Sequence, residues 1–224
     1  MTLVLTRAEI AEAVTPRLIL EALREGFVAI AKEGATAGNR YPVELPAPAP
    51  DGASAMLLAP GTVPGIPAYT VKVHAKFPGE DPALKGVILL HAIDDGRLLA
   101  ILESTWLTNL RTGFAGALGA DALARRDASR VAIIGAGAQG VLQLECLRSV
   151  RRITGVRVFD SVPGKAAAFA TREGSRLGLP VTAAATVEEA LADADIAVTA
   201  TWAREPFIEP GMVQSGTHIT TLGP

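Results

Sequence analysis

The run Gly135-Ala136-Gly137-Ala138-Gln139-Gly140 spells G-x-G-x-x-G, a spacing suited to cradling a pyrophosphate. A glycine at the first position permits a tight turn. The second lets a phosphate approach the backbone, and the third lets a helix pack closely on a strand. The pattern alone is weak, because the chain carries 22 glycines in 224 residues. Its context strengthens it. The apolar run Val131-Ala132-Ile133-Ile134 reads as a short strand before it, and a helix to about Val150 follows. Asp160 ends the next apolar strand, about twenty residues on. A helix amino end offers unsatisfied N–H groups and the positive end of a dipole to phosphates. Asp160 would accept hydrogen bonds from adenosine ribose hydroxyls and repel a 2′-phosphate, so NAD is expected over NADP. Such a cofactor lies at the carboxyl ends of parallel strands. The stretch from Thr199 to Trp202, with Thr201 in it, is therefore expected to line the crevice.

A second set of residues could hold an anionic substrate. Arg111 sits in a helix otherwise made of Leu, Gly, Ala and Phe, Lys72 and Lys76 share one face of a strand, and Arg40 precedes a proline-rich loop. Guanidinium and ammonium groups gathered in a cleft bind carboxylates, and arginine can do so through a planar fork. Taken singly, a solvated surface charge is the plainer reading of each, and Arg111 is the best placed for function because its helix is otherwise built for burial. His74 lies on the Lys72 face and could carry a proton, although a structural histidine is the plainer reading. No His, Cys and Asp cluster has ligand spacing, so no metal is expected.

These residues need elements to position them. Thr6 and Glu9 have capping-box spacing for a short helix toward Val14. Thr15-Pro16 opens a longer helix with Ile19, Leu20, Leu23, Phe27 and Ile30 at helical period, stopped by Gly34. "YPVELPAPAPDG" is too irregular for a helix and too rich in proline for a central strand. From residue 53 to 104 the period becomes two, giving "SAMLLA", "AYTVKVHAKF" and a hairpin turning at Asp95-Gly96. That predicts a largely antiparallel sheet. A helix rich in small residues follows Thr108, and small residues let neighbouring backbones approach. From Arg130 strands and helices alternate, which predicts a parallel sheet with right-handed crossovers. The expected fold is α/β: an N-terminal α+β domain over residues 1–112 for substrate and dimerisation, and a Rossmann-type domain over residues 113–224.

"LTNLRTGFAGALGADALAR", "VAIIGAGAQG" and "VRVFD", with "NRYPVELP" and "YTVKVHAKFPGE", together resemble the ornithine cyclodeaminase/mu-crystallin family. The resemblance runs from about residue 3 to the end of the chain. It implies a homodimer that binds NAD through Gly135, Gly137, Ala138, Gln139 and Asp160, with Thr112 near the phosphates. It further implies an α-carboxylate held by Arg40, Lys72 and Arg111. The implied activity is hydride transfer at the α-carbon of a small amino or imino acid: cyclodeamination of ornithine to proline, alanine dehydrogenation, or reduction of pyrroline-2-carboxylate. The alternative is a crystallin-type protein that holds the cofactor without turnover. The family's acid/base aspartate follows the strand that "THITTL" resembles, in G-x-D, and the chain reads Gly223-Pro224 there. The expectation is therefore a fragment, lacking that aspartate and a C-terminal segment, which binds NAD with little or no turnover.

Composition narrows the classes further. Net charge is −2 and 49% of residues are hydrophobic, which gives no electrostatic case for nucleic acid or an anionic membrane and allows a packed core. The lone Cys146 cannot form an internal disulfide, no signal-peptide pattern opens the chain, and no apolar run approaches the ~20 residues of a membrane span. A reducing, cytoplasmic setting is expected.

Overall fold

In the computed structural model the described residues are 1–33, 41–44, 55–77, 80, 82, 84–201, 203 and 205–222. The chain divides into two compact units, Met1–Arg111 and Thr112–Pro224.

The first unit begins with strand β1 (Leu3–Leu5) and helices α1 (Arg7–Ala13) and α2 (Pro16–Glu33). The capping box at α1 is present: Thr6 N–H donates to Glu9 Oε2 at 2.8 Å, and Glu9 N–H donates to the Thr6 hydroxyl. At α2 the Thr15 hydroxyl accepts from Leu18 N–H at 3.2 Å. Gly34, expected to stop α2, lies outside the described residues. On the expected apolar stripe Ile19 is buried, Leu20, Leu23 and Ile30 are half-buried, and Phe27 is 52% exposed.

Five strands follow: β2 (Tyr41–Glu44), β3 (Ala55–Thr62), β4 (Ala68–Lys76), β5 (Leu84–Ala92) and β6 (Leu98–Glu103). With β1 they form one sheet in the order β1-β6-β5-β4-β3-β2. Neighbours from β2 to β6 are antiparallel. Two details go beyond the sequence reading. Part of the proline-rich stretch is a strand, β2, which tolerates Pro42 because it lies at the sheet edge. The N-terminal apolar run is also a strand, pairing parallel with β6 so that Leu3 faces Ala100 and Leu5 faces Leu102. A parallel partner distant in sequence leaves no local turn signature.

Helix α3 (Thr105–Leu123) begins in the first unit and continues into the second. Its start is fixed by Glu103, whose carboxylate accepts from Thr105 N–H at 2.7 Å, and by the Thr105 hydroxyl, which donates to Leu84 O at 3.0 Å.

The second unit then alternates: β7 (Arg130–Ile134), α4 (Ala138–Val150), β8 (Gly155–Phe159), α5 (Lys165–Leu177), β9 (Val181–Ala183), α6 (Val187–Leu191), β10 (Ile196–Thr199) and β11 (His218–Thr221). Its strands all pair parallel, in the order β11-β10-β7-β8-β9. Strand order reverses between β7 and β10, the place where open α/β sheets take their ligands, at the carboxyl ends of the strands. Ile133, Val158, Ile196 and Ala197 are buried in the sheet, as are Leu144, Leu147, Phe169 and Leu191 of the helices. At the amino ends of β7 and β10, Asp195 accepts from Ser129 N–H at 3.0 Å, Arg130 N–H at 2.9 Å and Arg125 Nη2 at 2.5 Å. Among the described residues, no helix is long and apolar enough to cross a membrane.

Candidate functional site

The glycine loop lies between β7 and α4, at the strand-order reversal. Its ends are stitched to both neighbouring strands: Gly135 N–H donates to Phe159 O at 2.8 Å and Ala200 N–H to Ile134 O at 2.7 Å. The three glycines are small for three different reasons. Gly135 has φ +111°, and a Cβ there would strike the Ala200 carbonyl oxygen. Gly140 packs so tightly that a Cβ would press on the Gly135 carbonyl oxygen and lie 3.1 Å from Ile133 Cγ2. Gly137, the N-cap of α4, is exposed and has ordinary φ, and a Cβ there would meet nothing within 4 Å. The fold therefore does not itself require glycine at 137. The open space before it, at a helix start with no side-chain cap, fits a phosphate group resting on the backbone. Ala138 is exposed at the first position of α4, and Gln139 follows half-buried.

Asp160 stands one residue past β8. Its Oδ2 accepts from Ala136 N–H at 2.8 Å and its Oδ1 from Val162 N–H at 2.9 Å. Each carboxylate oxygen retains acceptor capacity, as ribose recognition needs. The Ala136 contact was not legible in the sequence: it makes the carboxylate a brace of the loop as well as a candidate ligand. Thr201 is brought to the same loop. Its amide nitrogen lies 3.3 Å from where a Gly135 Cβ would stand, and its hydroxyl accepts from Ala203 N–H at 3.0 Å. Trp202 lies outside the described residues. Thr112, half-buried on α3, gives its carbonyl to Gln143 Nε2 of α4 at 3.0 Å. Gln143 was not singled out in the sequence, where it reads as one more polar residue on a helix.

Lys72 and Arg111 belong to the first unit. Lys72 is half-buried at the middle of β4, with Ala59 and Ile88 as its cross-strand neighbours. Arg111 is exposed on α3, although the helix around it is largely apolar. Arg40 lies outside the described residues, as do Gly223 and Pro224. A groove of about 260 Å³ opens at the other end of the parallel sheet, by the amino ends of β7 and β8. Its two guanidinium groups are already spoken for, Arg157 with Asp193 at 2.9 Å and Arg130 with Asp195 at 3.7 Å. It is not the candidate site.

The family profile described as the ornithine cyclodeaminase/mu-crystallin family matches residues 1–224. The chain belongs to that family. Among solved structures, the Thermococcus litoralis Δ1-pyrroline-2-carboxylate reductase in complex with NADH and L-proline superposes with a TM-score of 0.87 at 30% identity, covering 99% of this chain and 68% of that one. An archaeal alanine dehydrogenase dimer with bound NAD superposes with a TM-score of 0.85 at 29% identity, covering 97% of this chain and 66% of that one. In sequence, the Δ1-pyrroline-2-carboxylate reductase of Bacillus cereus strain ZK / E33L is 31% identical over 186 residues, which are 81% of this chain and 57% of the relative. The chain spans about half the length of the curated relatives it matches. In these ornithine cyclodeaminase/mu-crystallin relatives the fold is that of NAD-binding enzymes with a Rossmann-like domain, as expected from the sequence.

Proposed function

We propose that this chain carries the NAD site and the carboxylate-binding groups of an enzyme acting at the α-carbon of a small amino or imino acid. The observation that carries the reading is the open space before Gly137 at the uncapped start of α4, with Asp160 beside the same loop. The N–H groups at the start of α4 would hold the pyrophosphate, and the remaining acceptor capacity of Asp160 would take the ribose hydroxyls. The carboxylate also disfavours a 2′-phosphate, so NAD is preferred to NADP. Bound NAD supplies hydride acceptance or donation.

Lys72 and Arg111, with Arg40 by family resemblance, would bind the substrate carboxylate. Lys72 lies between apolar neighbours, where a charge pair is stronger than in water. Arg111 offers two parallel donors. Ornithine cyclodeamination, alanine dehydrogenation and pyrroline-2-carboxylate reduction all work on a carbon bearing both nitrogen and carboxylate, and relatives carry each of these names. A cytoplasmic homodimer is part of the same proposal. Val4 at 68% exposed, Ile66 at 54% and Tyr41 at 55% leave apolar surface on the first unit that a partner protomer would cover.

The test is titration with NADH and NADPH, followed by turnover of the whole protein against pyruvate plus ammonia, pyrroline-2-carboxylate and ornithine. NADH binding tighter than NADPH, with turnover of one of these substrates, is expected. Absence of NADH binding overturns the reading. Binding without turnover of any of them makes this a nicotinamide-holding protein of the crystallin type.

A further inference from the structure

Within the second unit α3 and α4 meet along one seam. A Cβ on Gly113 would lie 2.7 Å from Cys146 Sγ, and a Cβ on Gly116 would strike the Gln143 amide oxygen. At the far end Arg151 donates to the carbonyls of Asp121, Ala124 and Arg125, at 2.9, 3.1 and 2.6 Å, closing the carboxyl end of α3. Gln143 supplies the buried amide of this seam. It is fully buried, its Nε2 donates to Thr112 O, and its Oε1 accepts no hydrogen bond among the described residues.

That half-satisfied amide is a poor way to add stability. A buried acceptor without a partner costs free energy, and an apolar side chain of similar size would hold two helices together without it. A directional hydrogen bond does something packing alone does not: it fixes the rotation and height of one helix turn against the other. The turn it fixes on α3 carries Thr112. The helix it springs from begins at Gly137 and Ala138, where the pyrophosphate would rest.

We propose that Gln143 is a positioning residue for the dinucleotide site, holding the Thr112 turn of α3 in register with the phosphate-binding start of α4. The proposal rests on the NAD reading above. Gln143 touches no cofactor; it acts through Thr112.

The test follows NADH affinity, thermal midpoint and the labelling rate of Cys146, whose buried thiol reports separation of the two helices. Gln143→Met should leave the midpoint unchanged or raised and Cys146 as slow to label as in the parent, while NADH binds about tenfold more weakly. Gln143→Glu should bind NADH better in mildly acidic than in alkaline buffer, because only the protonated carboxyl can donate to the Thr112 carbonyl; the parent should show no such profile. Gly116→Ala, which displaces the amide, should weaken NADH. Pairing it with Gln143→Ala should restore the midpoint but not the affinity. Parent-like NADH binding by Gln143→Met, or full recovery of affinity in the double variant, overturns the proposal and leaves the NAD reading standing. Should Gln143→Met fail to fold, the Glu variant and the double variant still decide it. If the parent chain binds no NADH, the NAD reading falls and the proposal with it.

Discussion

The Oδ2 atom of Asp160 accepts the Ala136 N–H at 2.8 Å, so the residue expected to read the ribose also holds the glycine loop in shape. On the proposed reading, cofactor preference and loop geometry would share one carboxylate. Replacing it should then cost both, and the two losses separate by choice of substituent.

Asp160→Ala should weaken NADH at least tenfold, because charge-assisted hydrogen bonds contribute about 1.5–3 kcal/mol each. Asp160→Ser keeps a hydroxyl acceptor for the Ala136 N–H and removes the charge, so it should narrow the gap between NADH and NADPH. Parallel titrations check both. Equal binding of the two cofactors by the unsubstituted chain would mean Asp160 does not face the ribose.

Gly137 and Gly140 should answer differently to the same substitution. Gly137→Ala places its methyl in open space, so thermal stability should hold while NADH affinity falls at least tenfold, about 1.4 kcal/mol. Gly140→Ala drives a methyl into the Gly135 carbonyl and Ile133, and overpacking of this kind costs about 1–3 kcal/mol of stability. Melting curves and NADH titration on both variants decide it. A large stability loss in Gly137→Ala would remove the case for a phosphate there.

Arg111→Ala and Lys72→Ala should each raise KM for the amino or imino acid about tenfold or more, with the affinity for NADH little changed. Arg111→Lys should also be harmful, because a point charge cannot replace a planar fork. Steady-state kinetics of the whole protein test this. Unchanged kinetics in Arg111→Ala would send the carboxylate to another anion site.

Asp195 should make the second unit acid-sensitive. Burial pushes its carboxyl up, but the N–H groups of Ser129 and Arg130 and the charges of Arg130 and Arg125 outweigh that and hold it below its ordinary value. A folded-state pKa below the unfolded one means the stabilisation is fully present above the unfolded value, about 3.9, and is lost as pH falls through the lower folded value. Asp195→Asn should cost about 3 kcal/mol at neutral pH and flatten the acid limb of the stability profile. Denaturant melts across that pH range measure it, and an unchanged acid limb in the variant would show that another group controls acid unfolding.

Local rules were enough for much of this chain. The Thr6–Glu9 capping box, the β4 strand and the strand–glycine–helix run at 130–150 could all be read directly. Each depends on neighbours within a few residues, and backbone sterics and hydrogen bonding settle such neighbours locally. The family resemblance was legible for the same reason, since its motifs are contiguous. Contacts between distant segments were not. β1 became a strand only by finding β6 nearly a hundred residues away, and β2 became one only because the edge beside β3 excuses its proline. The second duty of Asp160 required Ala136 to fold back across the sheet, and the seam between α3 and α4 required Gly116 to meet the Gln143 amide. A sequence states which side chains could accept, donate or leave room. Which of them meet is decided when the whole core packs, because close packing admits few arrangements and long-range partners leave no local period to read.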